Sequence, residues 1–465
     1  MKRLSCLQPL RCAMKALLWC AGPLRRHARP LILPCQVSQS DFLDVLLRLA
    51  TLPVPGEARP KNKTSASSDI ADTGAFAVEA GSVLASLSAD PEAASLLLER
   101  GGGAAAVALV RCMAAPAACR AGLRLLARLA DAPGGGTSAL CDAAGSTSAL
   151  ARLCLAARAA AAVREKVDWE NAACAAIGRL ARTFEPFADA VLEADGLTLL
   201  VKAARDDIPS RRASAGYALA CLAAHKRCRP ALERARCLQL FVALASTSSQ
   251  RADLADCQRV AGLGLANLCA SYHFRAAAAR AGALEAATAL MRAPSAAVRA
   301  GGAAAVAALA LHEDNGRRLC FGGALTLLLA MARGGDPRCE APAVRALAAL
   351  ALNRENQAAL LREGGVHALQ YVASSDDPAA AYEATALLHR LRMERLRGAA
   401  RLAGAAALEA RRMIDEHGTL QAAATAQDGV VDISAAPQPG TRAAGLLAKA
   451  GRRGQAVDKL AGHSR

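Results

Sequence analysis

Along most of the chain, apolar residues recur three and four positions apart, the period of a helix that buries one face. Short polar turns bearing Gly, Asn or Pro interrupt these stretches and predict a succession of helices joined by tight connections. Aligned on itself, the chain shows a recurring unit, clearest in RALAALALNRENQAALLREGGVHALQYVASSDDPAAAYEATALL at 345–388. A long apolar helix ends in Leu-Ala. An Asn-bearing turn, a short helix, a glycine break, a second helix and a loop with Asp and Pro follow. Segments 304–337 and 264–295 keep the same order.

The last Leu of each long helix gives Leu87, Leu129, Leu180, Leu222, Leu268, Leu309, Leu350 and Leu391, with steps of 42, 51, 42, 46, 41, 41 and 41. Glycine breaks at Gly101, Gly145, Gly196, Gly282, Gly323 and Gly364 run in step with these anchors. Two independent features therefore share one period. The 51-residue step holds ARAAAAVREKVDWENAAC, an excess of nine residues over the 42-residue step, expected as a loop insertion with Trp169 packed on the next helix or, as the alternative, exposed.

In its order of parts this unit resembles the armadillo repeat. Its period also suits HEAT repeats and is too long for the roughly 34-residue tetratricopeptide unit. The glycine break between the two shorter helices favours armadillo, because glycine turns the chain there without steric cost. The resemblance implies an all-α, right-handed superhelical solenoid of about seven three-helix units over residues 69–395. It also implies a non-catalytic scaffold or adaptor that holds a segment of a partner protein along a groove lined by the third helices. The candidate groove residues, taken at and one turn before the position preceding each anchor, are Arg124, Arg128, Arg179, Tyr217, Asn267 and Arg345. The Trp and Asn that nuclear-import adaptors repeat at such places are absent except for Asn267, so recognition of a nuclear localisation signal is not expected. Arginine offers a two-pronged donor to carboxylates, so the expected partner segment is acidic or polar and extended; the opposing reading is solvated arginine on an ordinary helix face.

The flanks read differently from the repeats. Residues 1–40 contain no Asp or Glu, while Lys2, Arg3, Arg11, Lys15, Arg25, Arg26 and Arg29 are spread among Leu, Cys and Ala. This is transit-arm composition, mitochondrial before plastid because Ser is sparse; a plain basic arm on a cytoplasmic protein is the alternative. Residues 41–68 are expected to form a short amphipathic helix after a Ser38-x-x-Asp41 start, then a flexible linker. Residues 396–418 are expected to be a capping helix, with a basic helix on a membrane surface as the alternative, and 419–465 a disordered basic tail.

Composition supports helix: 54% of residues are hydrophobic but only 3% aromatic, so the apolar content is largely Ala, Leu and Val. Of the net charge of +17, residues 1–63 carry +8 (11 basic, 3 acidic) and residues 390–465 carry +6 (13 basic, 7 acidic), leaving +3 for the body. So small an excess argues against a body that tracks a nucleic-acid backbone. An organellar nucleic-acid-binding protein working through its basic ends is the runner-up function. The 16 cysteines form no CxxC pair and the eight histidines are scattered, so no metal and no cofactor is expected. The GGG runs at Gly101–Gly103 and Gly134–Gly136 lack the Lys-Ser/Thr of a phosphate loop. No enzyme site and no small-molecule substrate is expected.

Overall fold

The computed structural model describes residues 39–51, 66–133, 136–246 and 254–393, together with positions 405, 408, 409 and 412. The expected arm 1–40 lies almost wholly outside the described residues, as do most of the capping helix 396–418 and all of the tail 419–465. Among the described residues there are helices and no strands.

The array begins with α1 (Gln39–Ala50) and α2 (Ala66–Leu87). Helix α1 packs on α2, and its Leu46, Leu47, Leu49 and Ala50 are buried in the same core as the repeats. Because α2 starts at Ala66, the stretch between these helices is shorter than the expected linker.

From here the helices run in threes. They are α3 to α5 (Pro91–Glu99, Gly102–Arg111, Pro116–Leu129), α6 to α8 (Gly136–Ala144, Thr147–Val163, Val167–Thr183) and α9 to α11 (Glu185–Glu193, Gly196–Ala204, Pro209–Ala224). Next come α12 to α14 (Arg229–Arg234, Cys237–Ala245, Ala255–Cys269) and α15 to α17 (Tyr272–Arg280, Ala283–Leu290, Ala296–Leu309). Then follow α18 to α20 (Glu313–Leu319, Leu325–Arg333, Pro337–Leu350), α21 and α22 (Arg354–Arg362, Gly365–Ala373) and α23 (378–393).

The break between first and second helices is a single left-handed residue. Gly101, Gly282 and Gly364 adopt φ of 89°, 85° and 77°, and α3 and α4 meet across Gly101 at 83°. Two repeats depart from the glycine pattern. Asp195 (φ 53°) turns the chain one residue before Gly196, and Arg236 (φ 56°) turns it where no glycine is present. Four of the third helices start on proline, Pro116, Pro209, Pro337 and Pro378, where its missing N–H is no loss.

The excess in the long step is helix, not loop. Helix α7 has 17 residues, against 10 in α4 and 9 in α10, because its Ala-rich sequence propagates helix beyond the usual length. Trp169, at the start of α8, is 1% exposed and packs backward rather than on the next helix, donating from Nε1 to Cys119 Sγ of the preceding third helix at 3.1 Å.

The anchors Leu129, Leu180, Leu222, Leu268, Leu309, Leu350 and Leu391 are all buried between repeats. Leu87 is 38% exposed, since among the described residues no repeat precedes α2, and Leu84 takes the buried place. Successive third helices pack along their whole length, whereas successive second helices touch more sparsely. The array is thus tightest on the third-helix side.

Of the described cysteines only Cys112 is partly exposed. Burial pushes the Cys119, Cys154 and Cys228 thiols up to about 12, which keeps the nucleophilic thiolate scarce. Iodoacetamide at about pH 8 should therefore label Cys112 well before these three, by peptide mass mapping; equal rates would mean that the repeats open readily.

Candidate partner-binding groove

The third-helix layer carries all six expected residues. Arg124 and Arg128 lie one turn apart on α5, exposed, and among the described residues neither side chain has a hydrogen bond or an ion pair. One turn earlier Arg120 stands 3.5 Å from Asp168 of α8. Arg179 of α8 pairs with Asp131 just past α5, and Arg182 reaches the other oxygen of the same carboxylate at 2.6 Å. One carboxylate thus serves two guanidinium groups, and this end of the layer keeps an excess of positive charge that Arg124 and Arg128 present to solvent.

Tyr217 of α11 is half-buried against the backbone of α8, where a Cβ on Gly178 would come within 2.7 Å of its ring. Burial, helped by the Cys221 thiol, pushes its hydroxyl up to about 12, so it stays a neutral donor. Asn267 of α14 donates from Nδ2 to the Ala220 carbonyl of α11 at 2.8 Å. Arg345 of α20 pairs with Glu383 of α23 at 2.9 Å, too many helices away to join the Arg124 cluster. Of the six, then, Arg124 and Arg128 share the exposed face of α5, Arg179 holds the Asp131 just past that helix, Tyr217 lies near Arg179 and Arg182, and Asn267 and Arg345 serve as ties between neighbouring repeats.

Sequence reading missed several such ties. Ser214 donates to Asn171 at 2.8 Å, and Arg390 donates to the Ala348 carbonyl at 2.8 Å. His225, just past α11, is held by a 2.5 Å hydrogen bond between Nε2 and the Ala181 carbonyl. Each tie spans about one repeat and has no signature in local sequence.

Much of the remaining arginine is spent on helix ends. Arg229 donates to the Ala223 and Ala224 carbonyls at the end of α11, both at 3.2 Å. Arg275 donates to the Cys269 and Ala270 carbonyls past α14, at 2.9 and 3.1 Å. A cation there satisfies orphan carbonyls and suits the negative end of the helix dipole. Toward the C-terminal end the inner positions shrink to Ala304, Ala308 and Ala349, so the layer carries no continuous basic stripe.

Among the described residues no three His, Cys, Asp or Glu side chains are placed to hold a metal ion. Among the same residues no single helix is long and apolar enough to cross a membrane.

Three-helix units, a left-handed break between the first two, and a continuous third-helix layer decide the architecture. The chain is an armadillo-like repeat solenoid. No family model matches it, and no curated protein does. Among solved structures it is similar to an engineered protein at TM-score 0.47 and 21% identity, over 75% of this chain and 88% of that one. A designed armadillo repeat protein, YIII(Dq)4CqI, is similar at 0.43 and 25% identity, over 48% of this chain and 93% of that one. Another, solved with the peptide (KR)4, is similar at 0.43 and 21%, over 57% and 99%. Likenesses this distant add no weight to the helix pattern itself.

Proposed function

We propose that the protein is a non-catalytic scaffold that holds an acidic, extended segment of a partner protein against the N-terminal part of its third-helix layer. The observation that carries this is the pair Arg124 and Arg128. Both are exposed on one helix face and unpaired among the described residues, on the helix whose end carries the Asp131 that Arg179 and Arg182 hold, and most other described arginines are committed to carbonyls or carboxylates. Unpaired arginines held one turn apart can each grip a carboxylate through two N–H groups, and an extended acidic chain brings carboxylates at that spacing.

The acid-free residues 1–40 support action inside an organelle, the mitochondrion first, with the cytoplasm as the competing place.

Both parts are tested by proximity labelling of the full-length protein in cells beside Arg124→Glu/Arg128→Glu. Organelle neighbours, and one dominant partner reduced about tenfold in the variant, are expected. A cytosolic set would remove the targeting reading, and a partner list unchanged by charge reversal would remove the groove reading.

A further inference from the structure

We infer that Glu170, together with the lengthened α7 that supplies its partner, positions the arginine face by fixing how α8 sits between α5 and α11. The inference rests on the reading that this face binds an acidic segment.

Four successive residues at the start of α8 are each tied to a different group. Asp168 faces Arg120 of α5 at 3.5 Å. Trp169 donates to Cys119 of α5 at 3.1 Å, under the Arg164 guanidinium 5.8 Å from its ring. Arg164 itself donates to the Met113 carbonyl, before α5, at 3.0 Å. Glu170, 1% exposed, holds Arg158 of α7 at 2.8 Å through one oxygen. Its other oxygen lies 2.8 Å from Arg211 Nε of α11, close enough for an ion pair though not aligned as a hydrogen bond. Arg211 also reaches Asp206 at 2.8 Å, and Asn171 accepts from Ser214 of α11.

The fold does not require this carboxylate. Ten residues before the anchor, where α8 has Glu170, the other repeats have Cys119, Arg212, Gln258, Arg299, Glu340 and Ala381. Nor does it require Arg158, the twelfth residue of α7, which the shorter second helices do not reach. Desolvating such charges costs roughly what their attraction returns, and apolar replacements of buried pairs are often neutral. What the ionic set adds is direction, since its charge pairs can form in one register only. Arg179 and Arg182 sit at the far end of the same helix, so that register sets their distance from Arg124 and Arg128 on α5.

The test uses the full chain, a fluorescein-labelled poly-glutamate peptide read by anisotropy at low salt, and hydrogen exchange across residues 167–183. Glu170→Gln should weaken the peptide about tenfold and speed exchange in α8. The apolar pair Arg158→Met/Glu170→Leu leaves Arg211 with Asp206 and should restore the melting temperature without restoring affinity. Affinity that returns with stability would reduce Glu170 to a core residue and overturn the inference, as would unchanged exchange in Glu170→Gln. If wild type fails to bind the peptide, or Arg124→Glu/Arg128→Glu binds it equally well, the groove reading fails; the exchange arm then still decides whether Glu170 fixes α8.

Discussion

Replacing Leu268 by aspartate is expected to split the thermal unfolding of the array into two steps. Leu268 is fully buried in α14, which packs against α11 on one side and α17 on the other. A carboxylate there meets no partner, and burying an unpaired charge costs about 4 kcal/mol or more. In a repeat array that cost falls on the two interfaces of α14, so the repeats on either side lose their coupling through it. Calorimetry should show the wild-type transition replaced by two smaller ones. Leu87→Asp is the matched control: the same anchor by sequence, but 38% exposed at the start of the array, and expected to cost under about 1 kcal/mol. Equal losses from the two substitutions would mean that the anchors do not mark inter-repeat contacts.

That contrast shows what the sequence could and could not disclose. The anchor series and the glycine breaks come from local pattern, and local pattern is enough for the helices, their order and their period, because each unit repeats the same burial problem. Burial at a particular anchor depends on a neighbour one repeat away, and Leu87 looked like the others for that reason. The break itself was legible as a position more than as a residue: Asp195 and Arg236 adopt the left-handed turn that glycine makes elsewhere.

The groove shows the same division. Arg124 and Arg128 could be placed on an exposed face from helical spacing alone. That Arg179 shares Asp131 with Arg182, that Asn267 is tied to Ala220, and that Arg345 is tied to Glu383 depend on pairings between neighbouring repeats that no single helix encodes. One signal was available for Glu170. It lies four and seven residues before Cys174 and Ile177, on a face that is otherwise apolar, and a charge there has to find a buried partner. The partner, Arg158, comes from the nine extra residues, which look like a loop only while helix length is assumed constant from repeat to repeat.

Gly262→Ala should destabilise the array by about 2 kcal/mol even though alanine is the better helix former by about 1 kcal/mol. A Cβ at this position in α14 would lie 2.6 Å from the carbonyl carbon of Gly301 in α17 and 2.8 Å from its oxygen. Both contacts are backbone, so no rotamer change relieves them and the two third helices must move apart. Gly301→Ala on the facing helix is the discriminating companion. Its Cβ would approach nothing closer than the Arg259 carbonyl at 3.3 Å, a gap that a small shift can open, and the propensity gain should roughly cancel the strain. Melting temperatures of the two variants therefore separate close helix contact from glycine's intrinsic cost. A fall for Gly262→Ala alone means that α14 and α17 touch through bare backbone, which sets the spacing of the third-helix layer at its centre. Equal behaviour of the pair would mean that α14 and α17 do not meet through backbone at Gly262 and Gly301.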